Sequence, residues 1–108
     1  METAAHEYYR ALDSHSYDDL TDLLAPEFTH YRPDRTIEGR ESFVTFMCEK
    51  RPMKETAHEV RAIYTAAEGV AVRGRLLGND GEELFGFVDC FEFAEENSEI
   101  VSIETYSQ

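Results

Sequence analysis

The chain has no tryptophan, two cysteines and three prolines in its 108 residues, and no apolar run approaches the about 18 residues of a membrane-spanning helix. Cys48 and Cys90 fall on a predicted helix and a predicted strand. They have neither metal-motif spacing nor the density of a disulfide scaffold, so buried free thiols are expected. No His, Cys, Asp or Glu cluster has metal spacing, and no glycine-rich phosphate loop or Gly-x-Ser-x-Gly elbow occurs. This argues against metal, nucleotide and acyl-serine chemistry, and no cofactor is expected. The opening Met-Glu-Thr-Ala-Ala-His has neither the basic nor the apolar segment of a secretory leader, so a cytoplasmic location without a membrane partner is expected.

Positive charge is also scarce. The net charge is −13, and the ten basic residues are scattered along the chain. Nucleic acid is therefore not an expected partner, because phosphate binding needs a basic stripe. Only Lys50 and Lys54 are lysines; the other cations are arginines, and carboxylates run from Glu2 to Glu104. Such a surface fits a high-salt cytoplasm, where concentrated salt screens its self-repulsion. An ordinary acidic protein is the alternative. The length suits one domain, residues 1–108, with a core of modest size.

Helices come first and strands afterwards, the order of an α+β domain. From Glu2 to Ser14 the residues Ala4, Ala5, Tyr8, Ala11 and Leu12 recur at helical spacing and predict one buried stripe, with Tyr9 expected at the surface. Ser16 is placed to cap a second helix with Leu20, Leu23 and Leu24 inward, ending before Pro26. A short strand is predicted over Phe28 to Arg32, interrupted by Pro33 and Asp34. Gly39 then precedes a third helix with Phe43, Phe46 and Met47 inward, closed by Pro52. Strands over 57–66, 69–78, 83–93 and 99–107, joined at turn residues, predict a curved antiparallel sheet.

The most informative pattern is Phe85, Phe87, Asp89, Phe91 and Phe93, five alternating positions that share one strand face. A carboxylate on an apolar face is costly unless it is paired, hydrogen-bonded or protonated, so it marks a pocket. A two-residue turn at Asp80-Gly81 would pair Asn79 with Glu82 and place Leu76 opposite Phe85, Gly74 opposite Phe87 and Val72 opposite Asp89. Arg73 and Arg75 then fall on the other face, and Asp89 needs a partner from elsewhere. His58 is expected to share a face with Val60, Ala62 and Tyr64. Tyr106 would share one with Glu104 and Ser102.

Tyr8-Tyr9-Arg10-Ala11-Leu12, Tyr17-Asp18-Asp19-Leu20 and Leu23-Leu24-Ala25-Pro26-Glu27-Phe28 resemble the opening helices of the nuclear transport factor 2-like superfamily, in its SnoaL-like and ketosteroid isomerase-like branch. Tyr31-Arg32-Pro33, Glu38-Gly39-Arg40-Glu41-Ser42-Phe43 and Val88-Asp89-Cys90-Phe91-Glu92-Phe93 are similar to its strand, glycine-led helix and penultimate strand. The resemblance spans nearly the whole chain. It implies a cone-shaped, cystatin-like α+β barrel in which three N-terminal helices pack on the curved antiparallel sheet, and a homodimer through that sheet.

The resemblance also implies site residues. Asp89 matches an aspartate that sits protonated and donates to a developing oxyanion, and Tyr8 matches the tyrosine that shares it. The family's base is an aspartate before the strand's proline; here that place holds Arg32, which cannot accept a proton, or, counted from Gly39, His30. The candidate catalytic residues are thus Asp89, Tyr8 and His30. Candidate ligand contacts are Arg32, Phe46, His58, Phe87, Phe91 and Tyr106. Two functions follow. One is a pocket for a small apolar or aromatic ligand, with acid–base isomerase, cyclase or hydrolase chemistry on a carbonyl compound. The other is a non-catalytic homodimeric scaffold with a filled core, paired through Leu84, Val88 and Cys90. A cavity of about 300 Å³ or more would distinguish the first from the second.

Overall fold

The computed structural model describes residues 1–51 and 55–108. Helix α1 (Glu2–Asp13) buries Ala5, Tyr8, Tyr9, Ala11 and Leu12. It ends in a Schellman motif, in which the Ser16 N–H reaches the Ala11 carbonyl at 2.8 Å and the His15 N–H reaches that of Leu12 at 3.2 Å. His15 takes the left-handed conformation usual for glycine there, with φ +58°. Helix α2 (Tyr17–Leu23) carries Asp18 and Asp19 in its first turn, where the helix dipole favours them. Ser16 precedes it, but its hydroxyl shares a hydrogen bond with that of Ser14 at 2.8 Å instead of capping the helix.

The helix stops at Leu23 because the chain turns extended at Leu24 and enters strand β1 (Leu24–Tyr31). Pro26 thus lies inside a strand, which starts four residues earlier than the predicted Phe28. After the Pro33–Asp34 interruption a short strand β2 (Thr36–Glu38), not foreseen from the sequence, pairs antiparallel with β1, His30 opposite Ile37. Gly39, at φ +94°, turns the chain into α3 (Arg40–Thr45), which continues as a π-helical turn over Phe46–Lys50. Phe43 and Met47 are buried and Phe46 is half-buried. Pro52, the expected end of this helix, lies outside the described residues.

Strands β3 (Ala57–Thr65), β4 (Gly69–Leu77), β5 (Glu83–Phe93) and β6 (Ile100–Ser107) complete an open sheet of order β2-β1-β6-β5-β4-β3. Neighbours are antiparallel except β1 and β6, which run parallel. One pairing departs from the all-antiparallel expectation: β1 lies between β2 and the last strand, and runs parallel to the latter. The helices cover one face. One contiguous core joins Tyr8, Leu12 and Leu20 to Phe28, Phe43, Val72, Phe91 and Ile103. Fully burying each of its phenylalanines stabilises the fold by on the order of 2 kcal/mol.

The β4–β5 hairpin has the predicted register with a different turn. Val72 faces Asp89, Gly74 faces Phe87 and Leu76 faces Phe85. The tip, however, is a turn closed by the Gly81 N–H on the Gly78 carbonyl at 2.9 Å, with Gly81 left-handed at φ +85° and the Gly78 N–H bonded to the Glu82 carbonyl at 2.8 Å. That is a three-residue connection with a glycine bulge. A second irregularity, between Leu76 and Leu77 of β4 and their partners on β5, takes up the extra residue and restores the register. On β3 another bulge lies between Val60 and Ala62. It reverses the alternation, so His58, Val60 and Ile63 face the core layer while Tyr64, expected on the same face as His58, is 56% exposed.

Candidate functional site

Strand alternation delivers Asp89 to the covered face: Phe87, Asp89 and Phe91 are buried, while Val88 and Cys90 between them are only half-buried. The partner that Asp89 requires comes from two other elements. The Tyr9 hydroxyl on α1 donates to Asp89 Oδ2 at 2.6 Å, and the Thr105 hydroxyl, directly across on β6, donates to Oδ1 at 2.5 Å. Tyr9 is 3% exposed, which corrects its expected surface position. The buried stripe of α1 is wide enough to take two adjacent tyrosines. Tyr8 is equally buried and packs edge-on to Tyr9 and Phe91.

The network extends to β1. His30 Nε2 lies 2.8 Å from Thr105 Oγ1. Because Thr105 spends its one proton on Asp89, it accepts from His30, which places the imidazole proton on Nε2. His30 Nδ1 is buried and has no hydrogen-bond partner among the described residues. Burial, reinforced by the Arg32 charge and opposed by Asp34, lowers the His30 pKa to about 3, so the ring is neutral near pH 7. Burial raises the Asp89 carboxyl above its ordinary range, against the hydrogen bonds from Thr105 and Tyr9 and the charges of His58 and Arg32. Burial, with Asp89 next, also raises the phenols of Tyr8 and Tyr9, so both remain protonated donors.

A second histidine stands beside this network. His58 on β3 directs Nδ1 at Asp13 Oδ1, 2.7 Å away, and its backbone N–H donates to Asp13 Oδ2 at 2.9 Å. Its ring packs on Tyr9 at 5.0 Å and Phe87 at 5.7 Å between centroids. A histidine oriented by a carboxylate through one nitrogen has the other available for proton exchange.

These groups line a cavity of about 400 Å³ between the sheet and the helices. Asp89, Tyr8, His30, Arg32, His58 and Phe87 all reach its wall, together with Arg51 and Thr105. Three expected contacts are not on it. Phe91 is core, 2% exposed. Phe46 packs beneath the guanidinium groups of Arg32 and Arg35, 5.7 and 4.9 Å from its ring centroid. Tyr106, 54% exposed, lies on the outer sheet face opposite Val88, because Thr105 takes the inward position. Sequence reasoning missed Tyr9, Asp13, Arg51 and Thr105. The register of β6 would have found Thr105, had the length of the β5–β6 loop been readable. Among the described residues no group of three or more His, Cys, Asp or Glu could hold a metal, and no helix is long and apolar enough to cross a membrane.

The family model described as SnoaL-like domain matches residues 5–103. No curated protein matches the sequence. Among solved structures, an NTF2-like protein of unknown function from Cytophaga hutchinsonii superposes with a TM-score of 0.81 at 20% identity, covering 97% of this chain and 87% of that one. A candidate ketosteroid isomerase from Kribbella flavida gives 0.84 at 18% identity over 98% of this chain and 76% of that one. A protein of cystatin-like fold from Methylobium petroleophilum gives 0.84 at 15% identity, covering 98% and 74%. At these identities the similarity establishes the cone-shaped α+β fold.

Proposed function

The chain belongs to the SnoaL-like domain family, and on that premise we propose that it binds a small apolar or aromatic compound in the cavity beside Asp89 and performs acid–base chemistry on its carbonyl group. The observation that carries this reading is a carboxyl group 6% exposed on the wall of a cavity of about 400 Å³, held by two hydroxyl donors. That volume is within the range of small-molecule sites and argues against a filled scaffold.

In this mechanism Asp89, in its protonated form, and the Tyr8 hydroxyl donate hydrogen bonds to the carbonyl oxygen as it gains enolate charge. Burial shifts both the Asp89 carboxyl and the Tyr8 phenol toward their neutral, proton-donating forms. His58, oriented through Nδ1 by Asp13, takes the proton from the adjacent carbon on Nε2 and returns it elsewhere on the ligand. Tyr9 and Thr105 hold Asp89 in place. His30 supports Thr105 and is a positioning residue, because its Nε2 is already engaged and its basicity is low. Assembly through the outer sheet face, where Val88 and Cys90 are half-buried and Tyr106 is exposed, forms the proposed homodimer; a monomer in sedimentation equilibrium at high salt would count against it.

The chemistry is tested by hydrogen–deuterium exchange at the carbon next to the carbonyl of 2-tetralone in D2O, followed by NMR. The protein should accelerate exchange over buffer. Asp89→Asn and His58→Gln, checked for folding by circular dichroism, should each slow it by about 100-fold or more. Exchange as fast in either variant as in the unmodified protein, or no faster with the unmodified protein than in buffer, would refute the reading.

A further inference from the structure

Two of the ten basic residues of this acid-rich chain, Arg32 and Arg51, lie on the cavity wall. With 23 carboxylates available, an arginine would ordinarily be taken up by a neighbouring acid. Arg51 makes no ion pair among the described residues, and its Nε and Nη2 are buried without a hydrogen-bond partner there. Arg32 makes a longer contact, 3.4 Å from Nε to Asp34 Oδ1, and Asp34 itself is directed to solvent with a side chain 57% exposed. Both arginines act on the same group. Each lowers the titration of the Tyr8 phenol, against burial and the Asp89 charge.

The acids on the wall are Asp89, which burial favours in its neutral form, and Asp34 at the Arg32 side. The titratable groups opposite are His30, neutral near pH 7, and His58, held by Asp13. The remaining lining includes Leu12, Met47, Leu76, Phe85 and Phe87. An apolar cavity walled in part by a guanidinium group with unpartnered N–H donors suits a planar anion, because that planar group offers paired donors that match the two oxygens of a carboxylate.

We propose that the ligand is a carboxylic acid with an apolar or aromatic body, its carboxylate taken by the guanidinium group of Arg51 with Arg32 as the second cation. This rests on the pocket reading above and adds the substrate class: an oxo acid, with its carbonyl toward Asp89 and Tyr8 and its carboxylate toward Arg51. Arg51 is then a specificity residue that selects the anion and sets the orientation of the carbonyl.

The test compares 2-naphthoate with 2-naphthamide, nearly the same shape without the charge, by NMR titration of the full chain. The expected result is at least tenfold tighter binding of the naphthoate, with the preference weakening as salt rises. Arg51→Gln should abolish the preference, weakening naphthoate binding at least tenfold more than naphthamide binding. Arg51→Lys, which keeps the charge and loses the planar edge, should retain only part of it. Asp89→Asn should affect both probes alike. Equal binding of the two probes by the unmodified chain, or a preference that survives Arg51→Gln, overturns carboxylate recognition and leaves the pocket reading standing. Binding of neither probe at millimolar concentration overturns both.

Discussion

His30 couples folding to pH in a direction that can be calculated. Its ring has an ordinary pKa of 6.5 when unfolded and about 3 in the fold, so between these values the unfolded chain holds the proton that the folded chain refuses. The stability contributed by neutral His30 is therefore complete above 6.5 and is lost as the pH falls toward about 3. At about 1.4 kcal/mol per unit of pKa difference, the full loss is about 5 kcal/mol, of which about 2 kcal/mol appears between about pH 7 and about pH 5. The structural cause is specific. A protonated ring would present an Nδ1–H to a buried site that offers no acceptor, with the Arg32 charge nearby. His30→Gln keeps a donor for Thr105 and cannot titrate, while the acidic surface common to both proteins cancels in their difference. Urea unfolding of both proteins across this range should show the native chain losing about 2 kcal/mol relative to the variant as the pH falls from about 7 to about 5. A difference that stays flat, or that moves the other way, would refute the buried neutral histidine.

Other consequences follow from the same packing. Tyr9→Phe removes a donor from a buried carboxyl and should cost about 1–3 kcal/mol in chemical denaturation; a change under about 0.5 kcal/mol, as expected of an exposed tyrosine, would contradict the Tyr9–Asp89 bond. Gly74→Ala places a Cβ 2.4 Å from the Glu59 carbonyl oxygen and 3.0 Å from the Phe87 ring, so it should lower the thermal midpoint distinctly. Gly81→Ala meets nothing within 4 Å but holds φ +85°, and should cost only about 1 kcal/mol of backbone strain. Equal losses at the two glycines would show that crowding between β3 and β4 is not what excludes a side chain at Gly74.

Most of the layout was legible because it depends on local rules. The alternation that places Asp89 between Phe87 and Phe91 needs only the two-residue period of a strand, whereas a count from a two-residue turn puts Val72 opposite Asp89 only because the extra residue at the tip and the irregularity below it cancel. Features set by tertiary contact were not legible. Helical spacing marks the centre of a stripe and not its width, so it leaves the buried Tyr9 at the surface. Tyr64 was assigned to the face of His58 because a bulge between Val60 and Ala62 leaves no signature in residue type. The parallel pairing of β1 with β6, which brings His30 within reach of Thr105, joins segments 75 residues apart. Arg51 directly follows the π-helical turn, a local widening that helical periodicity does not announce.

The tip of the β4–β5 hairpin holds one residue more than a two-residue turn, and the irregularity just below it takes that residue up again. Two single-residue departures of opposite effect act as a slack coupling between the outer end of the ribbon and its inner half. Closing the tip as a two-residue turn without the bulge would leave Val72 and Asp89 face to face. The length of the tip and the aim of the carboxyl are therefore separate variables in this fold, and the tip can vary in length or composition while the pocket wall keeps its orientation.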